Sequence, residues 1–474
     1  MSHVKLTKHP KGLWWLSLIY AAYAVSYGVL FANLLLYSIH SHTIIMSEQK
    51  AYAFFAAFGT LTFVLPLAGG ILCDRFGFKQ SAKIGLVTLI IGFILLALNM
   101  KFMLYIAIAF CLSGNALAMP AIWSMVGLIY NKHSQQRESG SILFYVIFNI
   151  GFLIAFSLSG IVADIIGYSA MYLIFGIGAL ISLYLLIIKD KDIVLVSSKT
   201  PTPTSQIFPL YIIVISLIII SFILTKFVIL DNIVMWILAI LAFIYLFSLT
   251  IQPKYKNDRQ KIQAYMLLCI IAIIGITVYN SEFGLLPEFA YHSIDLTIGS
   301  WSLPPSIITS LDPVFCIILG YFLSYLWKRK KNVGIASKLS MGVILPAVGY
   351  ICLSVALFAV GTSKLPMIIL LPIFILFVIG ELLVIPTGIA MSGKLAPIGK
   401  EGAFMGIWNV MQGFSALITG YIAYLTTLNT THSTSQLNIN HQYANVFLIS
   451  GIIIFIAGVL TWLLRKYINR KVEA

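Results

Sequence analysis

Glu381 is a single carboxylate inside a long apolar run, and it is the first residue here that points to chemistry. It lies near the middle of LLPIFILFVIGELLVIPTGIAM, residues 370–391. Two more acids, Asp312 in TSLDPVF and Glu282 in VYNSEFG, interrupt apolar runs in the same half of the chain. A charge at the centre of a bilayer costs at least about 2.5–3.5 kcal/mol. Acids in such places are expected to handle protons or to meet a cationic group.

These apolar runs contain no Lys or Arg that could neutralise the three carboxylates. Burial disfavours the charged form of an acid, so at least one of them is expected to carry a proton in some states. Structural roles remain open, namely a hydrogen bond from Glu381 across helices and local capping or pairing by Asp312. Glu288, beside Pro287, is expected to be solvated at the outer mouth.

The first half of the chain offers polar groups without charge. Tyr23 and Tyr27 in IYAAYAVSYG are four residues apart, and so are Tyr145 and Asn149 in FYVIFNIG. Residues four apart share one face of a helix. Each pair therefore presents hydroxyl or amide groups together with ring surface.

The elements that carry these groups must be membrane helices. The chain has 474 residues, of which 60% are hydrophobic and 9% charged, whereas soluble domains are about 25% charged. A membrane-spanning helix needs about 20 apolar residues, and lipid admits only helices or closed barrels. The runs are continuous and do not alternate, which predicts an all-α membrane protein.

Fourteen spans are predicted, and the positive charges fix their direction. The spans are 13–39, 51–73, 82–100, 102–130, 140–163, 168–188, 208–226, 233–252, 262–290, 304–327, 339–361, 366–391, 402–426 and 445–464. One side of this arrangement holds 26 of the 30 Lys and Arg residues, which predicts that both termini are cytoplasmic. The net charge of +15 therefore reflects topology and does not indicate nucleic-acid binding.

The spans divide into six, two and six. We predict an N-terminal six-helix bundle over 1–189, cytoplasmic linkers with two extra helices over 190–261, and a C-terminal six-helix bundle over 262–474. The two extra helices are expected to contain no buried acid or base. Secondary transporters built from such repeats place their substrate site between the halves, near the bilayer midplane.

Other chemistries find little support in the sequence. The five cysteines lack metal-ligand spacing and are expected to be packing residues, and the eight histidines lie in loops or at span ends as surface residues. We therefore expect no metal and no cofactor. An enzyme would need a grouped constellation such as Ser with His, which the scattered histidines do not provide.

Several motifs carry a family resemblance. PLAGGILCDRFGFKQSAKIG, with Gly70, Asp74 and Arg75, resembles the loop 2–3 motif of the major facilitator superfamily. With QRESGSILFYVIFNIG, GELLVIPTGIAMSGKLAP and GAFMGIW, the chain is identified as an atypical member of the proton-coupled oligopeptide transporter (POT) family. The resemblance implies the major facilitator fold with two extra helices, a multi-pass place in the bacterial inner (plasma) membrane, and proton-coupled solute uptake.

The resemblance also shows what has been lost. The family's helix 1 Glu-x-x-Glu-Arg motif falls on Ile19, Ala22 and Tyr23, the helix 4 lysine falls on Met119, and a helix 2 tyrosine is Phe63. In the family these cations are thought to receive the peptide carboxylate. A neutral replacement loses the stronger, charge-assisted hydrogen bonds.

The second half keeps its acids. Glu381 matches the family's helix 10 glutamate, and Asp312 stands where the family has asparagine. The helix 7 acid of the family falls best on Asn280, with Glu282 close by. Trp408 matches a tryptophan that lines the cavity in the family.

The resemblance gives a complete set of expected roles. The residues expected to contact substrate are Tyr23, Tyr27, Phe63, Met119, Tyr145, Asn149, Asp312, Glu381 and Trp408. Glu381, Asp312 and Glu282 are expected to couple protons. Asp74, Arg75, Gly70 and Pro386 are expected to serve gating or helix contact, as are Gly69, Gly380 and Gly388.

The predicted function is a secondary active transporter that imports small peptides or peptide-like amine-bearing solutes. Its expected partners are the solute, protons and the lipid bilayer. The alternatives are a major facilitator transporter of an amino acid, amine or drug, an exporter or uncoupled facilitator, and a receptor that does not transport.

Overall fold

A computed structural model describes residues 9–129, 136–194, 208–329, 334–398, 400–430 and 435–473. Inside the helices, a few side chains, including that of Asp74, lie outside the described set. The described part is almost entirely helical, as the apolar runs predict, with two two-stranded pairings in its loops.

Fifteen α-helices follow one another in the described residues. They are α1 (Lys11–His40), α2 (Glu48–Phe76), α3 (Phe78–Ala97), α4 (Lys101–Leu128), α5 (Gln136–Ile166), α6 (Tyr168–Ile188), α7 (Phe208–Lys226), α8 (Val228–Ile251), α9 (Arg259–Ser281), α10 (Leu285–Ser293), α11 (Leu311–Arg329), α12 (Ile335–Val360), α13 (Leu370–Lys394), α14 (Glu401–Thr430) and α15 (Gln436–Glu473). In the loops, β1 (Ile294–Asp295) pairs in parallel with β4 (Leu365–Pro366), and β2 (Thr297–Ile298) pairs antiparallel with β3 (Trp301–Ser302).

The helices match the predicted spans in order, and α10 is the short addition. Twelve described helices are long and apolar enough to cross a membrane. The other two predicted spans correspond to α11, which begins within a shorter apolar stretch, Pro305–Gly320, and to α14, which is 30 residues long. The count of fourteen crossings and the cytoplasmic termini stay predictions.

The first compact unit comprises Met1–Leu30 and Leu65–Ile223. Within its described part, α3 packs along α4 and against α6, and α5 packs against α6. Close packing rests on small residues. A Cβ atom added at Gly69 would lie 1.6 Å from the backbone oxygen of Ala116.

The second compact unit comprises Phe31–Val64 and Leu224–Ala474. It contains the end of α1, the beginning of α2, the extra helix α8 and all later helices. In it, α12 packs along α15 and α13, while α9 contacts α12, α13, α14 and α15. The predicted division at 189 and 261 differs from these units, and it stays a prediction.

Large apolar side chains cover the outside of many helices. On α7 and α8 alone, Ile215, Ile219, Ile229, Ile240 and Phe247 are exposed. A soluble protein rarely exposes such continuous apolar surface, whereas helices in lipid must do so. The surface therefore fits a multi-pass membrane protein.

Candidate functional site

Two of the three predicted acids meet around a cysteine in the second unit. The Cys316 Sγ atom lies 3.5 Å from Asp312 Oδ1 and 3.3 Å from Glu381 Oε2, with the thiol as donor. Asp312 and Cys316 are one turn apart on α11, and Glu381 comes from the middle of α13. One ligand atom from each of Asp312, Cys316 and Glu381 lies within 4.8 Å of the others. The two carboxyl groups are therefore near neighbours in a buried place.

Glu282 completes this acid cluster, which we define as Glu282, Asp312, Cys316 and Glu381. Glu282 follows the last turn of α9 and is 0% exposed. Its carboxyl group interacts electrostatically with Asp312 and Glu381. Among the described residues, neither Glu282 oxygen has a hydrogen-bond partner. A buried carboxyl group left in this way retains unused capacity to bind a proton or a donor.

A small cavity of about 10 Å³ adjoins Glu381 within the second unit. Its wall comes from α9, α12 and α13 and includes Tyr279, Pro346 and Phe377. The wall is closely packed, since a Cβ atom at Gly380 would lie 2.3 Å from Pro346 Cγ. Glu381 therefore places an ionisable carboxyl group beside a cavity whose wall is otherwise mostly apolar.

A second cavity, of about 30 Å³, lies elsewhere in the same unit and is lined in part by Phe63. Aromatic and small residues from α1, α2, α9, α10 and α14 line it, together with a few polar groups. Among those is Asn280, whose Nδ2 donates to Ser415 Oγ at 2.8 Å. The residue that best matches the family's helix 7 acid is therefore a neutral amide facing a cavity.

Trp408 is fully buried in the second unit. Its ring fills the space above Gly388, where an added Cβ would lie 2.0 Å from the ring. Gly388 therefore provides the close contact predicted for it, with an aromatic ring as its partner. Among the described residues, Trp408 Nε1 has no hydrogen-bond acceptor, so this indole could still donate to a ligand.

The first unit contains a row of three stacked tyrosine rings, Tyr20, Tyr23 and Tyr27, which we call the aromatic row. Tyr23 stacks between Tyr20 and Tyr27, with ring centroids 5.1 and 5.6 Å apart. The Tyr23 hydroxyl donates to Asn115 Oδ1, and Trp123 Nε1 donates to the Tyr20 hydroxyl at 2.7 Å. The row is buried, and the hydroxyls of Tyr20 and Tyr23 have hydrogen-bond partners on α4.

The remaining predicted contacts of the first unit lie on α4 and α5. Met119 and Tyr145 are partly buried, and Met119 directly precedes Pro120 inside α4. Asn149 is buried and donates through Nδ2 to the Tyr145 backbone oxygen at 3.0 Å. This bond joins residues four apart on one helix, as the spacing predicts.

Among the predicted gating residues, the prediction for Gly70 is wrong. An added Cβ at Gly70 meets nothing within 4 Å, so the close approach predicted there belongs to Gly69 alone. Arg75 is exposed and lies over the Phe76 ring, 5.4 Å from its centroid. Pro386 lies inside α13, which remains a single helix across it. The side chain of Asp74 lies outside the described set.

The sequence reasoning missed Cys316 and Asp231. Cys316 was expected only to pack, although its position four residues after Asp312 was a usable signal. The prediction that the extra helices contain no buried acid was wrong. Asp231 on α8 is 0% exposed and accepts a 2.9 Å hydrogen bond from Thr60 Oγ1. The predicted span began at 233, whereas α8 begins at Val228 and so includes Asp231.

Glu288 also departs from expectation, because it is buried and not solvated. Its two oxygens lie 3.2 Å from Nε2 of His40 and Nε2 of His292. Both histidines had been expected to be ordinary surface residues. Each is less than one-third exposed, at 29% and 22%.

Comparison with known proteins agrees with this architecture. The family description Major Facilitator Superfamily matches residues 16–420. The uncharacterized transporter YclF of Bacillus subtilis is 27% identical over 88% of both chains. Dipeptide and tripeptide permease B of Shigella dysenteriae is 26% identical over 90% of both chains. A POT family transporter in complex with 5-aminolevulinic acid has the same fold, with a TM-score of 0.84 at 21% identity over 98% of both chains.

These matches run through both units and cover nearly the whole chain. The chain is therefore a multi-pass membrane transporter and not an enzyme. It belongs to the Major Facilitator Superfamily.

Proposed function

We propose that this transporter imports small peptides or peptide-like amine-bearing solutes together with protons. The observation that carries the proposal is the acid cluster, in which three buried carboxyl groups, one just after α9 and one each from α11 and α13, lie together within one unit. Glu381 is the principal proton-coupling residue, and Asp312 and Glu282 support it.

The physical basis is the competition between a proton and an amine for the same oxygens. Three carboxylates cannot all stay ionised at low cost in a buried cluster. A proton on one of them relieves the repulsion, and a protonated amine of a solute would do the same. Binding of one can therefore be linked to release of the other, which is what coupled transport requires.

The neutral first unit favours a particular class of solute. Tyr23 and Met119 stand where the family has an arginine and a lysine, so no fixed cation is available at these positions for a substrate carboxylate. A cationic or neutral amine-bearing solute suits the acid cluster better than an ordinary zwitterionic peptide. The 5-aminolevulinic acid complex of a related fold and the permeases named for dipeptides and tripeptides support an amine-bearing solute.

The test is proton influx into proteoliposomes that contain the purified protein. A pH-sensitive dye inside the vesicles reports influx when dipeptides, tripeptides, amino acids or amines are added outside. At least one amine-bearing solute should produce influx, and a pH gradient should drive its accumulation. If none of these solutes moves protons or accumulates, the proposal is wrong.

Replacement of the principal carboxyl group tests the mechanism. Glu381→Gln should abolish gradient-driven accumulation, because the amide cannot exchange a proton. Asp231→Asn is the matched control, since Asp231 is also a buried carboxyl group of the second unit but lies outside the acid cluster. Unchanged pH-dependent uptake in Glu381→Gln would refute the assignment. Micromolar inhibition by dialanine would contradict the preference against simple peptides.

A second candidate function is transport of a different solute, such as an amino acid, an amine or a drug, by export or without coupling. The cavity that Phe63 lines favours it, because its aromatic and small lining residues offer few polar groups to a peptide backbone. Uptake that is equal with and without a pH gradient would support this alternative.

A further inference from the structure

Four side chains that no transport step uses come together at one end of the second unit. His40 ends α1, Glu48 begins α2, and Glu288 and His292 lie one turn apart on α10. We call these four residues the outer cluster, because all of them fall at loops predicted to face outward. The cluster joins two places of the chain that are more than 200 residues apart.

The ligand atoms of Glu48, Glu288 and His292 have the spacing of a metal site, and His40 adjoins them through Glu288. Glu288 is 0% exposed, and its Oε2 and Oε1 atoms lie 3.2 Å from Nε2 of His40 and of His292. One ligand atom from each of Glu48, Glu288 and His292 lies within 4.8 Å of the others. In a tetrahedral zinc site with bonds of about 2.0–2.1 Å, neighbouring ligand atoms are about 3.3–3.4 Å apart.

Neighbouring groups hold the two imidazole rings in place. The His40 ring packs on Tyr291 with centroids 4.4 Å apart, and the His292 ring meets Tyr291 edge-on at 5.1 Å. Lys364 Nζ donates to the Tyr291 backbone oxygen at 3.0 Å, and Gln436 Nε2 donates to the His292 backbone oxygen at 3.0 Å. Fixed ligand rings reduce the ordering that metal binding requires.

We propose that His40, Glu48, Glu288 and His292 bind a divalent transition-metal ion, with Zn²⁺ as the best fit. Two imidazole nitrogens and two carboxylates form a mixed nitrogen and oxygen set that suits Zn²⁺. Mg²⁺ and Ca²⁺ prefer oxygen ligands and more of them, so they should bind poorly. The bound ion joins the end of α1 and the beginning of α2 to α10.

The experiment uses the full-length protein purified in detergent and stripped with EDTA. Calorimetric titration with ZnCl₂ should show one saturable site, and MgCl₂ should show none. CoCl₂ should give the strong visible absorption of tetrahedral Co²⁺, and ZnCl₂ should displace it. A wild-type protein that shows neither the zinc site nor the cobalt spectrum would overturn the proposal without any variant.

Variants assign the ligands. His40→Ala and His292→Ala should each weaken Zn²⁺ binding at least about tenfold, and the double variant about a hundredfold or more. His42→Ala is the matched control, because His42 is exposed and only two residues from His40. If the double variant keeps wild-type affinity, or if His42→Ala loses as much, the bound zinc belongs to other surface groups and the proposal fails.

The metal-binding result can be distinguished from misfolding and from a loss of transport. His40→Gln and His292→Gln preserve side-chain size in case the alanine variants aggregate, and they should still weaken zinc binding. The titrations need neither a solute nor a pH gradient. Failure of the metal site therefore leaves the transport proposal standing, and failure of transport leaves the metal site standing.

Discussion

The aromatic row of the first unit and the acid cluster of the second are both buried, yet they differ in how far their polar groups are satisfied. In the row, the Tyr23 hydroxyl donates to Asn115 and Trp123 donates to Tyr20. In the cluster, Glu282 has no hydrogen-bond partner among the described residues. The hydroxyls of Tyr20 and Tyr23 in the row thus have partners, whereas Glu282 in the acid cluster keeps capacity for a proton or a ligand.

This difference shows where a solute can gain binding free energy. A buried polar group that already has a hydrogen-bond partner contributes little to the binding of a solute, because the existing hydrogen bond must break first. A buried carboxyl group without a partner gains from any donor that reaches it. We therefore propose that recognition of the solute rests mainly on the acids of the second unit.

The largest effect should come from placing a charge in the aromatic row. Tyr23→Arg puts a guanidinium among stacked rings in the first unit, with no carboxylate on the row to pair with it. An uncompensated buried charge should lower the free energy of unfolding by about 3–5 kcal/mol. SDS titration followed by tryptophan fluorescence measures the change.

Tyr23→Phe is the control for that experiment. It keeps the stacked ring and removes only the hydroxyl that donates to Asn115. The expected loss is about 1 kcal/mol, the usual net contribution of a hydrogen bond. If Tyr23→Arg is as stable as Tyr23→Phe, the row tolerates charge and its contrast with the acid cluster disappears.

The next effect concerns helix packing in the first unit. Gly69→Ala places a Cβ atom 1.6 Å from the Ala116 backbone oxygen. A backbone atom cannot move aside as a side chain can, so α2 and α4 must separate. Overpacking of this kind should cost about 1–3 kcal/mol, or somewhat more, in the same SDS titration.

Gly70→Ala is the matched substitution one residue along the same helix. Its Cβ atom meets nothing within 4 Å, and alanine favours a helix over glycine by about 1 kcal/mol. The two variants should therefore change stability in opposite directions. Equal destabilisation by both would show that the tight approach is not confined to Gly69.

The helices were the most predictable part of this protein. Apolar runs about 20 residues long mark spans directly, so α6 and α7 begin and end at the predicted residues. Exact starts are harder where polar residues sit near a helix end. The first turn of α8 contains Asp231, and a hydropathy boundary placed two residues later hid it.

The site was only partly predictable, because its contacts join distant parts of the chain. The position of Cys316 one turn after Asp312 was visible locally, but its contact with Glu381 spans 65 residues. The contact of Trp408 with Gly388 and the burial of Glu288 between two histidines also depend on how helices pack. Residue type alone does not determine such pairings.

The smallest effect should come from Asp231, the buried acid of the second unit that lies outside the acid cluster. Its Oδ2 accepts from Thr60 at 2.9 Å, while its Oδ1 has no partner among the described residues. Asp231→Asn keeps an acceptor for Thr60 and removes a buried chargeable group. We expect its stability in SDS titration to equal or slightly exceed that of the wild type.

Asp231→Leu removes the acceptor but should cost only about 1 kcal/mol. Thr60 Oγ1 also lies 2.9 Å from the Ala57 backbone oxygen, so its hydroxyl can donate there when the carboxyl group is gone. A loss of several kcal/mol in Asp231→Leu, or a loss of pH-driven uptake in Asp231→Asn, would contradict this. Asp231 would then belong with Glu381, and the proton-handling groups of the second unit would extend onto the extra helix α8.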